Sequence, residues 1–126
     1  MKSFVVSIII AAVVISGSLF STHQIEKVSE TLSAENSEIT EFLKNEDFEK
    51  ALRLTEDMED YVNKKKLSLA IIMDHSDLDK IELIIAELKG YVEGNIRTDA
   101  LAKCSMLDVL LRHMPKNYNL KIENIL

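Results

Sequence analysis

Three side chains in this sequence have the types to make a small chemical site: His75, Asp79 and His113. Two imidazoles and a carboxylate suit zinc or another divalent ion when the fold brings them within ligand distance. His75 and Asp79 are four residues apart, one helical turn, whereas His113 must arrive from a different element. The competing reading is electrostatic. A histidine closing a helix complements its negative end and pairs with a nearby carboxylate, here Asp79 or Glu82. Nothing in the spacing supplies ligand distances, so the structural reading is preferred, and no metal or cofactor is expected. Cys104 and His113 are nine residues apart on one helical pattern. Nine residues is about 2.5 turns, which points them to opposite sides. Cys104 also falls in an apolar seam, the place of a buried structural thiol. Asp77-Leu78-Asp79 opens like a calcium loop but lacks its glycine, and Leu88 stands where the bidentate glutamate belongs. The Glu56-Asp57 and Glu59-Asp60 pairs lie among lysines and read as solvated surface. With no phosphate loop, H-E-x-x-H or nucleophile elbow in the sequence, the expectation is a protein that is not an enzyme.

The elements that would position these residues are constrained by composition. The chain has 126 residues, 47% apolar and 29% charged, with three Gly, one Pro, one Cys and no Trp. That is one small domain. A single cysteine excludes an internal disulfide, and the scarcity of Gly and Pro argues against both disorder and an all-β fold rich in turns. A net charge of −6 has the wrong sign for binding nucleic acid.

Phe4 to Phe20 is a run of 17 residues without a charge. At about 1.5 Å per residue it reaches about 25 Å, and Ser3 to Thr22 reaches the roughly 30 Å of a hydrocarbon core. Ser16-Gly17-Ser18 offers a cleavage site, so secretion after signal removal is the alternative. The apolar run exceeds the usual signal length and continues through Leu19 and Phe20, which favours an uncleaved signal anchor over residues 1–22. Lys2 precedes the span and no positive excess follows it. The N-terminus is therefore expected in the cytoplasm, with residues 23–126 outside a single-pass anchor. Without Lys2, that part holds 14 basic and all 21 acidic residues, net −7, which should avoid anionic headgroups. Ser3, Ser7 and Ala11 make a small-residue face, read as ordinary membrane-helix composition.

The rest of the chain repeats apolar residues at helical spacing. Ile25, Val28, Leu32, Ile39 and Phe42 form one stripe, with Glu35 at the missing seam position. Phe48, Ala51, Leu52, Thr55, Met58, Val62, Leu69, Ile72 and Met73 form a second. Asp74 to Asp77 should close that helix and cap the next, which carries Leu78, Ile81, Ile85, Leu88 and Val92. Gly94 suits a left-handed cap. Ala100, Cys104, Leu107, Leu111 and Met114 make a fourth stripe, and Pro115 should stop it. The reading is all-α: a transmembrane helix, then an extracytoplasmic antiparallel four-helix domain of two hairpins. Helices are expected at about 24–44, 47–73, 77–92 and 96–114, with 116–126 as a docked apolar tail. Asn45 to Leu52 is tetratricopeptide-like, and Ala51-Leu52 and Met58 lie 49 residues before Ala100-Leu101 and Leu107. That period is far from about 34, so a true repeat array is rejected. In this topology His75 and His113 both end helices near the membrane.

The chain resembles a family of small, N-terminally membrane-anchored helical proteins of unknown function from spore-forming Firmicutes, Clostridia and Bacilli. The resemblance is carried by Asp74-His75-x-x-Leu78-Asp79-x-Ile81-Glu82, Leu88-x-x-Tyr91-Val92, Leu111-x-His113-Met114-Pro115 and Leu120-x-Ile122-x-Asn124-Ile125-Leu126. Tyr61 stands where a Trp is associated with the family. The resemblance implies one span, an extracytoplasmic helical domain and no established activity. It marks His75, Asp79, Glu82, His113 and Asn124 as candidate site residues. It implies association with a multi-spanning membrane protein such as the YetF-like class; self-association is the other expectation.

Overall fold

A computed structural model describes residues 1–125, the side chains of Asn117 and of residues 119–125 excepted. Over these residues the chain is helical, with no strand. The elements are α1 (Lys2–Lys44), α2 (Phe48–Ile72), α3 (His75–Glu93) and α4 (Arg97–Ile125).

The apolar run and the first amphipathic stripe are one helix. Nothing between them breaks it: there is no proline, and Gly17 is the single glycine of α1. At about 1.5 Å per residue, α1 is roughly 65 Å long. Its two halves differ in surroundings. Large apolar side chains from Phe4 to Phe20 are 47–70% exposed. From Ile25 onward a stripe is buried, made of Ile25, Val28, Ser29, Leu32, Asn36, Ile39 and Leu43. Sequence spacing had put Glu35 in this seam. Asn36 occupies it instead, and Leu43 rather than Phe42 closes it.

α1 packs on α2 and α4, and α3 packs on the same two helices, closing a ring of four. The contacts run in opposite chain directions. Ser29 meets Leu111 and Asn36 meets Cys104 across α1–α4, while Glu59 pairs with Lys89 and Lys66 with Glu82 across α2–α3. The core is the expected one on α3 and α4, with Leu88, Leu107 and Leu111 fully inaccessible; on α2, Ala51, Thr55, Met58, Val62 and Leu69 are buried as expected while Phe48, Leu52 and Ile72 are only half-buried.

The turns after α1 and α3 are alike. Asp47 N–H bonds to the Phe42 carbonyl at 2.8 Å and Ile96 N–H to Tyr91 at 2.9 Å, each spanning five residues. Glu46 and Asn95, 49 positions apart, take the left-handed conformation with φ of 59° and 57°. Gly94 does not: its φ is −82°, so the expected glycine cap falls one residue later, on Asn95. The two turns stand at the same 49-residue offset as the faint period in the sequence.

α4 departs most from expectation. Pro115 does not end it; the helix continues to Ile125, so residues 116–125 extend α4 rather than forming a separate tail. Proline has no N–H for the carbonyl four residues back, here Leu111. That carbonyl accepts instead from Ser29 Oγ of α1, at 2.6 Å and buried. The neighbouring helix thus satisfies the group that proline leaves open, and the apolar spacing of α4 runs on to Tyr118.

Candidate functional site

The best-connected polar site lies where α2 turns into α3 and α4 passes beside them. α2 ends at Ile72, and Asp74, in extended conformation, precedes α3. The Asp74 carbonyl accepts from Asp77 N–H and Leu78 N–H at 3.1 and 3.2 Å, starting the helix. The Asp74 side chain makes no cap bond. Tyr118 of α4 ties the turn: its Oη accepts from Asp74 N–H at 2.8 Å and donates to Asp77 Oδ2 at 2.7 Å. Burial raises the Tyr118 phenol, the Asp74 N–H lowers it and Asp77 raises it further, to about 12. It stays a protonated donor at physiological pH. A cavity of about 50 Å³ adjoins the knot, lined by Asp77, Ile81, Leu110, His113, Met114 and Tyr118.

Of the residues singled out in the sequence, this site includes one, His113. It is exposed and lies mid-α4, not at a helix end. His75 is the first residue of α3 rather than the last of α2, so it faces the positive end of a helix dipole and cannot complement a C-terminus. Both His75 and Asp79 are exposed. Glu82 is half-buried and pairs with Lys66 of α2 at 3.3 Å, while its Oε1 finds no hydrogen-bond partner in the protein. Asn124 falls on the last turn of α4, and its side chain lies outside the described residues. Among the described residues, no group of three or more His, Cys, Asp and Glu side chains converges as a metal site.

Sequence reasoning missed Tyr118 and Ser29, and gave Asp77 only a place in a helix cap and in a rejected calcium loop. Tyr118 was legible in principle: Cys104, Leu107, Leu111, Met114 and Tyr118 keep one 3-4-3-4 spacing that Pro115 does not disturb. Ser29 and Asn36 sit seven apart inside an apolar stripe and donate to α4 carbonyls, Ser29 to Leu111 and Asn36 Nδ2 to Cys104 at 2.9 Å. Cys104 is 2% exposed; burial raises its thiol, with a smaller opposing effect from a Thr40 hydrogen bond. It is a protonated structural thiol, a poor nucleophile.

A second feature is apolar. Between α3 and α4 lies an open groove of about 440 Å³, lined by Leu83, Ile84, Met106, Val109 and Leu110 with Lys80 and Glu87 at its rim. Leu83, Met106 and Val109 are 47–59% exposed. Glu87 pairs with Lys103 of α4 at 2.6 Å.

The class these features define is an all-α helical bundle carrying one N-terminal helix whose length and composition fit a membrane span or a signal sequence. The chain belongs to the family described as a domain of unknown function, DUF4363, matched over residues 19–125. No curated protein and no solved structure matches it. The family match begins as the apolar run ends, and membership of a family without assigned function agrees with the resemblance in the sequence.

Proposed function

We propose that this protein is a non-catalytic interaction or accessory subunit, anchored by residues 1–22 with residues 23–126 outside the cytoplasmic membrane. The observation that carries the reading is the continuity of α1. The same helix supplies an exposed apolar segment of spanning length and one wall of the folded bundle. A flexible linker would let the domain roam; an unbroken helix fixes its height and orientation over the bilayer. Tethering also confines it to two dimensions and raises its effective concentration toward other membrane proteins. The α3–α4 groove is the kind of exposed apolar surface that such a subunit offers a partner. The proposed partner is another membrane protein, with the multi-spanning YetF-like class as the specific candidate.

Photo-crosslinking from Met106 in native membranes tests this. A membrane protein joined to the full-length chain is the expected result. Crosslinks between copies alone would favour the self-associating reading, and capture of cytoplasmic enzymes would contradict the orientation.

A further inference from the structure

Leu67 and Ile71 are the most exposed large apolar side chains beyond the N-terminal run, each 83% exposed. They end an outward stripe on α2. Arg53, Asp57, Asp60, Lys64, Leu67 and Ile71 recur at 4-3-4-3-4 spacing, and all of them are exposed. The stripe lies opposite the buried Ala51, Thr55, Met58, Val62 and Leu69, and among the described residues α2 touches α1 and α3 but not α4. This is the spacing of a coiled-coil seam, laid on a face that the bundle leaves bare. In that register Asp57, Lys64 and Ile71 take one seam position, and Arg53, Asp60 and Leu67 take the other. A β-branched residue at the first and leucine at the second is the pattern of a parallel two-stranded contact.

The anchor supplies the parallel orientation. Two copies inserted the same way in one bilayer can be paired only by a two-fold axis along the membrane normal. That axis sets every residue level with its own copy. Ser29 meets Leu111 and Asn36 meets Cys104, so one heptad further Tyr118 is level with Thr22, where the proposed span ends. Tyr118 holds Asp74, which brings the α2–α3 turn to the same height. At about 1.5 Å per residue, Ile71 and Leu67 stand roughly 5 and 10 Å above that level, Lys64 and Asp60 roughly 15 and 20 Å. The apolar pair of the stripe is thus the part nearest the anchors.

The charges above it complement each other. Arg53 pairs with Glu49, Glu59 with Lys89 and Lys66 with Glu82, while Asp60 and Lys64 make no ion pair among the described residues. Helical side chains lean toward the N-terminal end, so Lys64 leans toward the level of Asp60. Beside a second copy, the two lysines bridge the two carboxylates. Beyond Asp60 the stripe would set Asp57 against Asp57 with Glu56 close by, so the contact closes over residues 60–71 alone. About three turns of helix bury far less than the roughly 800 Å² per partner of a stable soluble interface. Confinement of both copies to the bilayer supplies the missing concentration.

We infer that residues 60–71 of α2 form a homodimer contact in the membrane, with Leu67 and Ile71 packed on their own copies and each Lys64 paired with the other chain's Asp60. The inference rests on the anchored reading above. It leaves the α3–α4 groove, which α2 does not line, open to a different partner.

The test uses the full-length chain in a Cys104→Ala background, reconstituted into lipid vesicles and carrying one of Leu67→Cys, Ile71→Cys, Ser68→Cys or Met106→Cys. Copper phenanthroline should link Leu67→Cys and Ile71→Cys into dimers severalfold more than Ser68→Cys or Met106→Cys. With Ile71→Cys as the probe, Lys64→Asp should at least halve the yield, and Asp60→Lys/Lys64→Asp should restore it. Leu67→Asp should also at least halve it. Circular dichroism checks that the variants stay folded. Equal yields at all four positions, dimers at none, or a yield indifferent to Leu67→Asp overturns the contact, and a chain that still floats with the vesicles leaves the anchor standing. A yield that ignores Lys64→Asp, or that the charge exchange fails to restore, overturns the Asp60–Lys64 pairing. A chain that does not float with the vesicles removes the anchor, and the inference with it.

Discussion

The two halves of α1 are one helix written for two surroundings. Between Phe4 and Phe20 apolar residues cover every face and none is buried by the protein. Between Ile25 and Leu43 they keep to one stripe, and the other faces carry Glu26, Lys27, Glu30, Glu38 and Glu41. An all-round apolar surface needs an apolar medium, whereas a stripe needs only a neighbouring helix. The second half also holds polar groups inside its stripe: α4 provides carbonyls for Ser29 Oγ and Asn36 Nδ2, while Asn36 Oδ1 is buried without a hydrogen-bond partner in the protein. A buried donor costs least where its hydrogen bond is made, and these two bonds fit one α1–α4 register.

The comparison breaks most visibly in the core. Leu107, fully inaccessible among the helices, should lose about 2–5 kcal/mol of unfolding stability on Leu107→Ala. Urea unfolding of the bundle measures it, and a loss under half a kilocalorie would put Leu107 at the surface. In the first half the sensitivity is to the medium instead. Val13→Lys, near the middle of the proposed span, should cost about 2.5–3.5 kcal/mol of insertion. The membrane-bound fraction should fall while the unfolding midpoint of the bundle holds; a matching loss of bundle stability would mean the halves do not act separately.

Ser29→Ala should cost about 1–3 kcal/mol, because it leaves the Leu111 carbonyl buried without a donor. In a Pro115→Ala background the helix supplies its own N–H, so the loss should shrink. An unchanged loss in that double-mutant cycle would show that Ser29 does not act through the proline.

The smallest effect concerns Glu35. Burial, Asp57 of α2 and Glu38 hold its carboxyl above the ordinary 4.5. Ionising it therefore opposes folding at neutral pH, and the penalty fades as pH falls through the raised value toward 4.5. Glu35→Gln should be the more stable protein at pH 7, and the advantage should vanish below the unfolded-state value. Thermal melts across pH 4 to 8 check the sign.

Much of the fold could be read from apolar spacing. The stripes Leu78–Val92 and Ala100–Met114 lie in the core as their periods require, and Cys104 is buried among them. Spacing fails where a tertiary partner changes the local rule. Pro115 stops an isolated helix, but Ser29, 86 positions earlier, meets the carbonyl it strands. Gly94 is the usual left-handed residue, yet the five-residue hydrogen bond to Tyr91 sets the position at Asn95. The candidate site was less legible for the same reason. His75, Asp79 and His113 attract notice by residue type, whereas Tyr118 and Asp77 matter through a contact spanning 41 positions. An error of two residues in where α3 begins, 77 expected against His75 found, turns His75 from a helix end to a helix start and reverses its electrostatic role.

The central claim, that α1 is an uncleaved anchor rigidly joined to its bundle, is tested most directly by the intact mass and N-terminus of the protein extracted from alkaline-washed membranes. The account predicts the full 126-residue chain of 14.3 kDa in the membrane fraction. A soluble chain whose sequence begins at Leu19 would contradict it.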